Sequence, residues 1–175
     1  MFDGRSFVRF CQDAIDRPHA PSIIQAELHR IVARPAEITL PPSSDRKSWR
    51  LYRSPRLTVL HTAYSPSLRA IPHSHGTWAV VSVYRGREDS TVFERDGPTI
   101  SVARRISICP GDVVVFEPEA IHDLSTSFDE VTYSIHVYGG DLFDSEHRRM
   151  WIPPALKEEM FDEAKFVQHN NWPAG

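Results

Sequence analysis

The sequence predicts a mostly β protein, a closed or double-sheet barrel preceded by short helices. From about Trp49 the chain consists of short runs rich in Val, Ile, Thr and Tyr, separated by Gly, Pro and Asp, which is typical of an all-β barrel. Closure is favoured because it leaves few strand edges unpaired. Six strands are expected: Leu57–Tyr64, Trp78–Tyr84, Asp89–Phe93, Thr99–Ala103, Val113–Phe116 and Val131–Tyr138.

Short helices are expected near both ends of the chain. Apolar residues between Phe7 and Ile15 recur at three- and four-residue spacing, which places them on one helical face. Ser22 followed by Gln25 fits a capping box, which would begin a second helix. The stretch PPALKEEMFDEAKF near the C-terminus is expected to hold one more short helix.

Length and composition limit the classes of function. The 175 residues, of which 41% are hydrophobic and 25% charged, suit one domain with a core. We expect a helical segment at 1–48, the barrel at 49–151 and a C-terminal tail at 152–175. The 20 basic and 23 acidic residues are mixed along the chain, which gives no basic face for nucleic acid and no cluster beside a membrane. A small-molecule partner is therefore expected, with no nucleic acid and no membrane.

The cysteine content and the N-terminus indicate the compartment. Cys11 and Cys109 are the two cysteines, too few for a disulfide framework, which favours a reducing environment. The first residues build no apolar core of a secretory signal, and no stretch approaches the ~18 apolar residues of a membrane span. We expect a cytoplasmic protein, and the sequence leaves its oligomeric state open.

Three histidines in two segments are candidate metal ligands. His73 and His75 lie two residues apart in IPHSHGTW, and positions i and i+2 of a strand share a face. The pair alone is a weak signal. The later segment PGDVVVFEPEAIH reads as a turn, a buried strand and a Pro-containing turn that ends at His122, which could supply a third ligand.

These two segments together resemble the paired motifs of the cupin superfamily, over most of residues 71–122. The resemblance implies a cupin double-stranded β-helix, which is a jelly-roll-like barrel. The first cupin motif usually offers a Glu four residues after its second His, where this chain has Ala79. Three neutral imidazoles leave an ion its double charge and open positions, which suits an anionic substrate together with O₂. Zinc would accept the same ligands but has no redox chemistry.

A third segment, SIHVYGG, places polar side chains on one face of an apolar strand. Ser134, His136 and Tyr138 alternate with Ile135 and Val137, so the two sets point to opposite faces. A hydroxyl, an imidazole and a phenol in a row can pass or hold a proton where a strand lines a wet cavity. The alternative is an interior strand whose polar groups are merely hydrogen-bonded.

With this third segment, the chain from about residue 49 to 151 resembles the thiol dioxygenase family of cupins, which contains cysteine dioxygenase and 3-mercaptopropionate dioxygenase. The phrase SIHVYGG is the most specific part of the resemblance. It implies a dioxygenase that oxidises a small carboxylate-bearing thiol with O₂ to its sulfinate. It also implies an Fe(II) ion on His73, His75 and His122, with Ser134, His136 and Tyr138 as the catalytic relay and Tyr138 facing the substrate.

The resemblance further implies an arginine clamp for the substrate carboxylate, since the planar guanidinium matches two oxygens. Cysteine-type enzymes place this arginine on an early strand, where Arg50 is the best match and Arg53 remains open. Mercaptopropionate-type enzymes place it after the SxHxY strand, where this chain has Arg148 and Arg149.

One branch of the family joins the tyrosine covalently to a Cys on the first-motif strand. The matching position is Ala79, so we expect no crosslink. This absence and the late arginines favour the mercaptopropionate-type branch. Two other functions remain open: a different three-histidine cupin dioxygenase, such as one that cleaves a diketone, and a non-catalytic cupin that binds a small molecule. The polar row favours the thiol class over the first of these.

Overall fold

The computed structural model describes residues 2–39 and 48–170. The helices are α1 (Gly4–Ala14), α2 (Ala20–Val32) and α3 (Glu163–His169), with a 3₁₀ turn at Pro35–Glu37. The strands are β1 (Ser48–Ser54), β2 (Leu57–Tyr64), β3 (Arg69–His73), β4 (Ala79–Arg85), β5 (Glu88–Asp96), β6 (Thr99–Ile108), β7 (Val113–Phe116), β8 (Ile121–Thr126), β9 (Thr132–Tyr138), β10 (Arg149–Ile152) and β11 (Lys157–Met160).

The strands form two sheets whose order is that of a double-stranded β-helix. One sheet has the order β1-β2-β9-β4-β7 and the other β11-β10-β3-β8-β5-β6. Within them, β2-β9-β4-β7 and β3-β8-β5-β6 are the two four-stranded halves of an eight-stranded jelly roll. All pairings are antiparallel. The predicted fold class, a mostly β jelly-roll-like barrel with short N-terminal helices, is confirmed.

The five-stranded sheet is buried on both faces. Its outer face packs against α1 and α2, and its inner face lines the barrel. The outer cluster includes Phe7, Cys11, Ile24, Leu28, Val59, Val80, Ile135 and Val137. The inner cluster includes Leu60, Ala79, Val81, Phe116 and Tyr138. The two faces of β9 are therefore as the sequence predicts: Ile135 and Val137 face the helices, and the polar row faces the barrel interior.

The predicted strands match the structure closely, and two of the five strands that were not predicted, β3 and β8, carry candidate metal ligands. Leu57–Tyr64 and Val113–Phe116 have the predicted bounds, and the other four differ only at their ends. The sequence does not predict β3 or β8, because a proline interrupts one and polar residues fill the other. Both strands end or begin beside a candidate metal ligand.

The second helix begins earlier than its sequence predicts. The capping box of Ser22 and Gln25 is wrong, because α2 begins at Ala20 after His19. Pro21 lies in the first turn, where its fixed φ suits a helix start. The Gln25 side chain instead donates to the Val113 carbonyl at 3.1 Å, which ties the helix to the sheet. Among the described residues, no helix has both the length and the apolarity to cross a membrane.

The helix expected near the C-terminus is correct only in its second half. Lys157–Met160 forms β11, which pairs with β10. Backbone pairing with a neighbouring strand outweighs the modest helix preference of Lys-Glu-Glu-Met. Helix α3 begins only after Asp162, whose carboxylate accepts from the backbone N–H of Lys165 at 2.9 Å.

The packing of α2 on the outer face of the sheet gives a stability prediction. Leu28 has no exposed surface, so Leu28→Ala should lower the free energy of unfolding by about 2–5 kcal/mol. Val102, which is 52% exposed on β6, provides the control, since Val102→Ala should change it by less than about 0.5 kcal/mol. Urea unfolding measures both variants, and equal losses would contradict this packing.

Candidate metal centre and its cavity

Three histidines converge inside the barrel. His73 ends β3 and stands directly opposite His122 on β8, while His75 lies in the loop that follows β3. All three are buried, and one ring nitrogen from each lies within 4.8 Å of the others. The Nε2 atoms of His75 and His122 are 3.4 Å apart. The structure therefore brings together the three predicted ligands, although the second one lies beyond the strand.

The turn that carries His75 depends on Gly76. Its φ is +66°, in the left-handed region that favours glycine. A Cβ at this position would lie 2.5 Å from the carbonyl oxygen of His147, which is too close for any side chain. This close approach lets the chain leave β3 and cross to β4 in the other sheet while His75 stays in the interior.

The three rings could hold one metal ion. Metal–nitrogen bonds of ~2.1 Å that meet at roughly 90–110° place two ligand nitrogens about 3.0–3.5 Å apart, and the His75–His122 distance lies in that range. His73 Nδ1 lies 2.9 Å from the Ile71 carbonyl oxygen, an acceptor that fixes the proton on Nδ1 and leaves Nε2 free to ligate. His122 Nδ1 lies 3.4 Å from the Ser90 hydroxyl.

Electrostatics keep these rings in the ligating form. Burial lowers the pKa of His122 to about 4. Burial, followed by the neighbouring rings and the Arg148 charge, lowers the pKa values of His73 and His75 well below their usual range. All three imidazoles are therefore neutral at neutral pH, as metal ligands must be.

The polar row of β9 lies beside this cluster. Ser134, His136 and Tyr138 are buried, with Ser134 Oγ 3.0 Å from His136 Nε2 and His136 Nδ1 3.0 Å from the Tyr138 hydroxyl. The Tyr138 ring meets His75 edge-on with centroids 5.0 Å apart. Burial raises the pKa of the Tyr138 phenol above its usual value, so the group is a neutral phenol at the metal end of the row.

Two residues of β5 complete the row and were not predicted from the sequence. Glu88 is 1% exposed and accepts a hydrogen bond from Ser134 at 2.5 Å, while Ser90 faces His122. Their i, i+2 spacing is a signal for one shared face. A glutamate that follows a Gly-containing turn is usually solvent-exposed, so sequence reasoning passed it over.

Of the predicted arginines, Arg148 lines the cavity with the histidines. It is 9% exposed, and its guanidinium carbon lies 3.5 Å from the centroid of the Phe161 ring. One Nη donates to the Leu142 carbonyl at 2.9 Å, while Nε is buried with no hydrogen-bond partner among the described residues. Burial lowers the pKa of Arg148 to about 10, which still leaves it charged at neutral pH.

The other predicted arginines lie outside this cavity. Arg50 is exposed on β1, with its guanidinium 5.5 Å from the Phe143 ring. Arg149 donates to the carbonyls of Glu146 and Arg148. Arg53, the open alternative, forms an ion pair with Asp141 at 2.8 Å.

The cavity has a volume of about 730 Å³, within the usual range for a small-molecule site. Besides the polar groups, it is lined by apolar side chains that include Leu60, Leu68, Val81, Phe116, Leu124, Leu142, Phe161 and Phe166. Phe166 of α3 meets the His73 ring edge-on at 5.0 Å. Helix α3, within the segment expected as a C-terminal tail, therefore forms part of one wall of the cavity.

The strand register also bears on the expected absence of a crosslink. Ala79 on β4 is paired directly with Tyr138 on β9. A cysteine here would stand beside the phenol, whereas alanine offers no sulfur. Cys11 is buried among the helices and Cys109 is exposed, so neither approaches the tyrosine.

Comparison with known proteins gives distant structural likenesses. No family model matches the chain. A cupin superfamily protein from Desulfitobacterium hafniense is 16% identical, with 60% of this chain and 93% of that chain covered and a TM-score of 0.46. A conserved protein with a double-stranded β-helix domain from Klebsiella pneumoniae is 14% identical, with 61% and 86% covered and a TM-score of 0.45.

Larger proteins also match over a part of their length. Oxalate decarboxylase from Bacillus subtilis is 15% identical, with 55% of this chain covered and a TM-score of 0.45, and the match spans 24% of that chain. The match to an 11S globulin from Wrightia tinctoria spans 21% of that chain. The fold of this protein follows from its own strand order, described above.

The convergence of the three rings gives a binding prediction. His73→Ala, His75→Ala or His122→Ala should each weaken Fe²⁺ binding by more than the ~10–100-fold typical of losing an outer-shell partner, because a ligand itself is removed. His29→Ala, at an exposed position of α2, should bind like the wild type. Anaerobic titration followed by metal analysis measures this, and three variants that retain full iron would rule out the site.

Proposed function

We propose that the protein is an iron-dependent thiol dioxygenase, which oxidises a small carboxylate-bearing thiol to its sulfinate. The observation that carries the proposal is the meeting of three elements in one cavity. The three-imidazole cluster, His136 and Tyr138 of the buried Ser-His-Tyr row, and the buried Arg148 all line it. The sequence resemblance around SIHVYGG supports the same function.

The metal proposed for the cluster is Fe(II). When bound there, it would supply positions for a thiolate and O₂ and the redox chemistry that zinc lacks. The donor set fits such an ion, because three neutral nitrogens lie within 4.8 Å of one another at the wall of the cavity. Metal coordination also favours the thiolate over the thiol at neutral pH.

The proposed reaction is balanced by thiol and O₂ alone. The S–H and O–O bonds break, two S–O bonds form, and four electrons pass from sulfur to oxygen. The products are one sulfinate and one proton, so the chain needs no further reductant.

The protein's own residues would bind and orient the substrate. Arg148 would receive the carboxylate, because it lines the cavity with the three histidines and remains charged at neutral pH. Tyr138, whose phenol donates to His136, places its oxygen beside His75, where it can accept a hydrogen bond. The apolar walls exclude water, which strengthens both polar interactions.

Oxygen consumption tests the proposal directly. The iron-loaded protein, prepared anaerobically, should consume O₂ with 3-mercaptopropionate or cysteine and release one sulfinate per O₂, identified by mass spectrometry. Consumption with a diketone alone would instead indicate a carbon–carbon-cleaving dioxygenase. Iron binding without O₂ consumption for any of these compounds would favour a binding protein.

The choice among the arginines gives a second test. Arg148→Gln should raise KM for a carboxylate-bearing thiol by about 10–100-fold, the loss expected for a hydrogen-bonded charged group, while cysteamine, which lacks the carboxylate, should be affected less. Arg148→Lys should recover only part of the loss, because it keeps the charge and not the fork.

Exposed Arg104 on β6 provides the matched control, and Arg104→Gln should leave KM unchanged. Arg50→Gln and Arg149→Gln test the competing positions. A larger effect at either of them than at Arg148 would assign the clamp elsewhere.

A further inference from the structure

Glu88 is a buried carboxylate with no role in the proposed binding of metal or substrate. It begins β5 in the six-stranded sheet, yet its side chain contacts the polar row of β9 in the five-stranded sheet. Its Oε1 accepts from the Ser134 hydroxyl at 2.5 Å and lies 3.2 Å from His136 Nε2. The contact therefore joins the two sheets across the barrel interior.

The hydrogen-bond partners determine where the protons of the row lie. A serine hydroxyl has a single proton, and Ser134 donates it to Glu88. Ser134 Oγ must then act as an acceptor toward His136 Nε2, at 3.0 Å, and toward Thr62 Oγ1, at 2.5 Å. His136 Nε2 therefore faces two acceptors, Ser134 Oγ and Glu88 Oε1, and must carry a proton.

The proton on Nε2 determines the hydrogen-bonding role of Nδ1, the other ring nitrogen of His136. With Nε2 protonated, Nδ1 is the nitrogen that meets the Tyr138 hydroxyl at 3.0 Å. In a neutral ring, Nδ1 is an acceptor, so the phenol donates to it. The same arrangement occurs in hydrolase triads, where a carboxylate binds one ring nitrogen of a histidine and the other nitrogen contacts a hydroxyl.

The same face of β5 also reaches the metal cluster. Ser90, two residues after Glu88, lies 3.4 Å from Nδ1 of His122. One strand thus contacts both a candidate ligand and the histidine of the row, which fixes their relative position. Glu88 is 1% exposed, and its direct contacts are with Ser134 and His136.

We propose that Glu88 is a positioning residue for Tyr138. Glu88 holds a proton on His136 Nε2, which leaves His136 Nδ1 to contact the phenol. The kinetic consequence rests on the proposed thiol oxidation. The placement of the proton does not, because it follows from the hydrogen bonds of the chain alone.

Nuclear magnetic resonance of the metal-free full chain, labelled with ¹⁵N-histidine, tests the placement. The His136 signals are assigned by their loss in His136→Gln. In the wild type, Nε2 should be the protonated nitrogen, and in Glu88→Gln the population with a proton on Nε2 should fall, because an amide can turn its NH₂ toward the ring. An unprotonated Nε2 in the wild type, or an identical pattern in Glu88→Gln, would overturn the proposal.

Steady-state kinetics of the iron-loaded protein test the consequence. Glu88→Gln should lower kcat on the order of 10–100-fold, as for other outer-shell partners, with KM little changed because Arg148 binds the carboxylate. Glu88→Asp keeps a carboxylate and should recover part of kcat. Glu94→Gln, the same substitution at an exposed position of β5, should behave like the wild type.

The outcomes separate the two proposals. A wild type that oxidises no thiol but protonates Nε2 removes the proposed function and leaves the placement standing. If the wild type oxidises thiols and Glu88→Gln has the same kcat, only the positioning role is contradicted. If Glu88→Gln does not fold, the wild-type spectrum still decides the placement, because a His136 without a proton on Nε2 would overturn it. The kcat of Glu88→Asp then tests the positioning role.

Discussion

The site depends on the burial of three imidazoles inside a barrel whose interior is otherwise largely apolar. Burial lowers the pKa values of His73, His75 and His122, which keeps the rings neutral. Neutral rings can approach one another as ligands of one ion must, whereas three imidazolium groups would repel. The hydrophobic interior that stabilises the fold thus also keeps the three imidazoles in the form that a metal ion would require.

A buried polar cluster needs partners, and the fold supplies them from both sheets. The candidate ligands His73 and His122 belong to the six-stranded sheet, and the row that ends at Tyr138 belongs to the five-stranded one. Glu88 bridges the two sheets through Ser134 and His136. Since a buried polar group without a partner is costly, these contacts align the sheets as well as the side chains.

Arg148 is the buried cation among the described lining residues of the cavity. Arg148 remains protonated despite its burial, and a divalent ion would add to that charge. Glu88 is the buried acid among the described lining residues, and it is already bonded to the row. Asp162 and Glu163 also line the cavity but are exposed at the start of α3. The proposed substrate, a thiol with a carboxylate, offers negative groups to the proposed ion and to Arg148.

The sequence by itself determined the strand periodicity, the polar face of β9 and the three histidines, because these patterns are local. A period of two residues assigns Ser134, His136 and Tyr138 to one face whatever the rest of the chain does. The helix ends were less certain from sequence, since Pro21 and the pairing of β11 with β10 override the local signals.

Only the tertiary structure decided which charged residues enter the cavity. Arg148 and Arg149 are neighbours in sequence, and the pairing of β10 with β3 turns one inward and leaves the other at the surface. Glu88 resembles a surface residue until β5 is placed across the barrel from β9. The position of a charge relative to a cavity depends on contacts between distant strands, which no local pattern encodes.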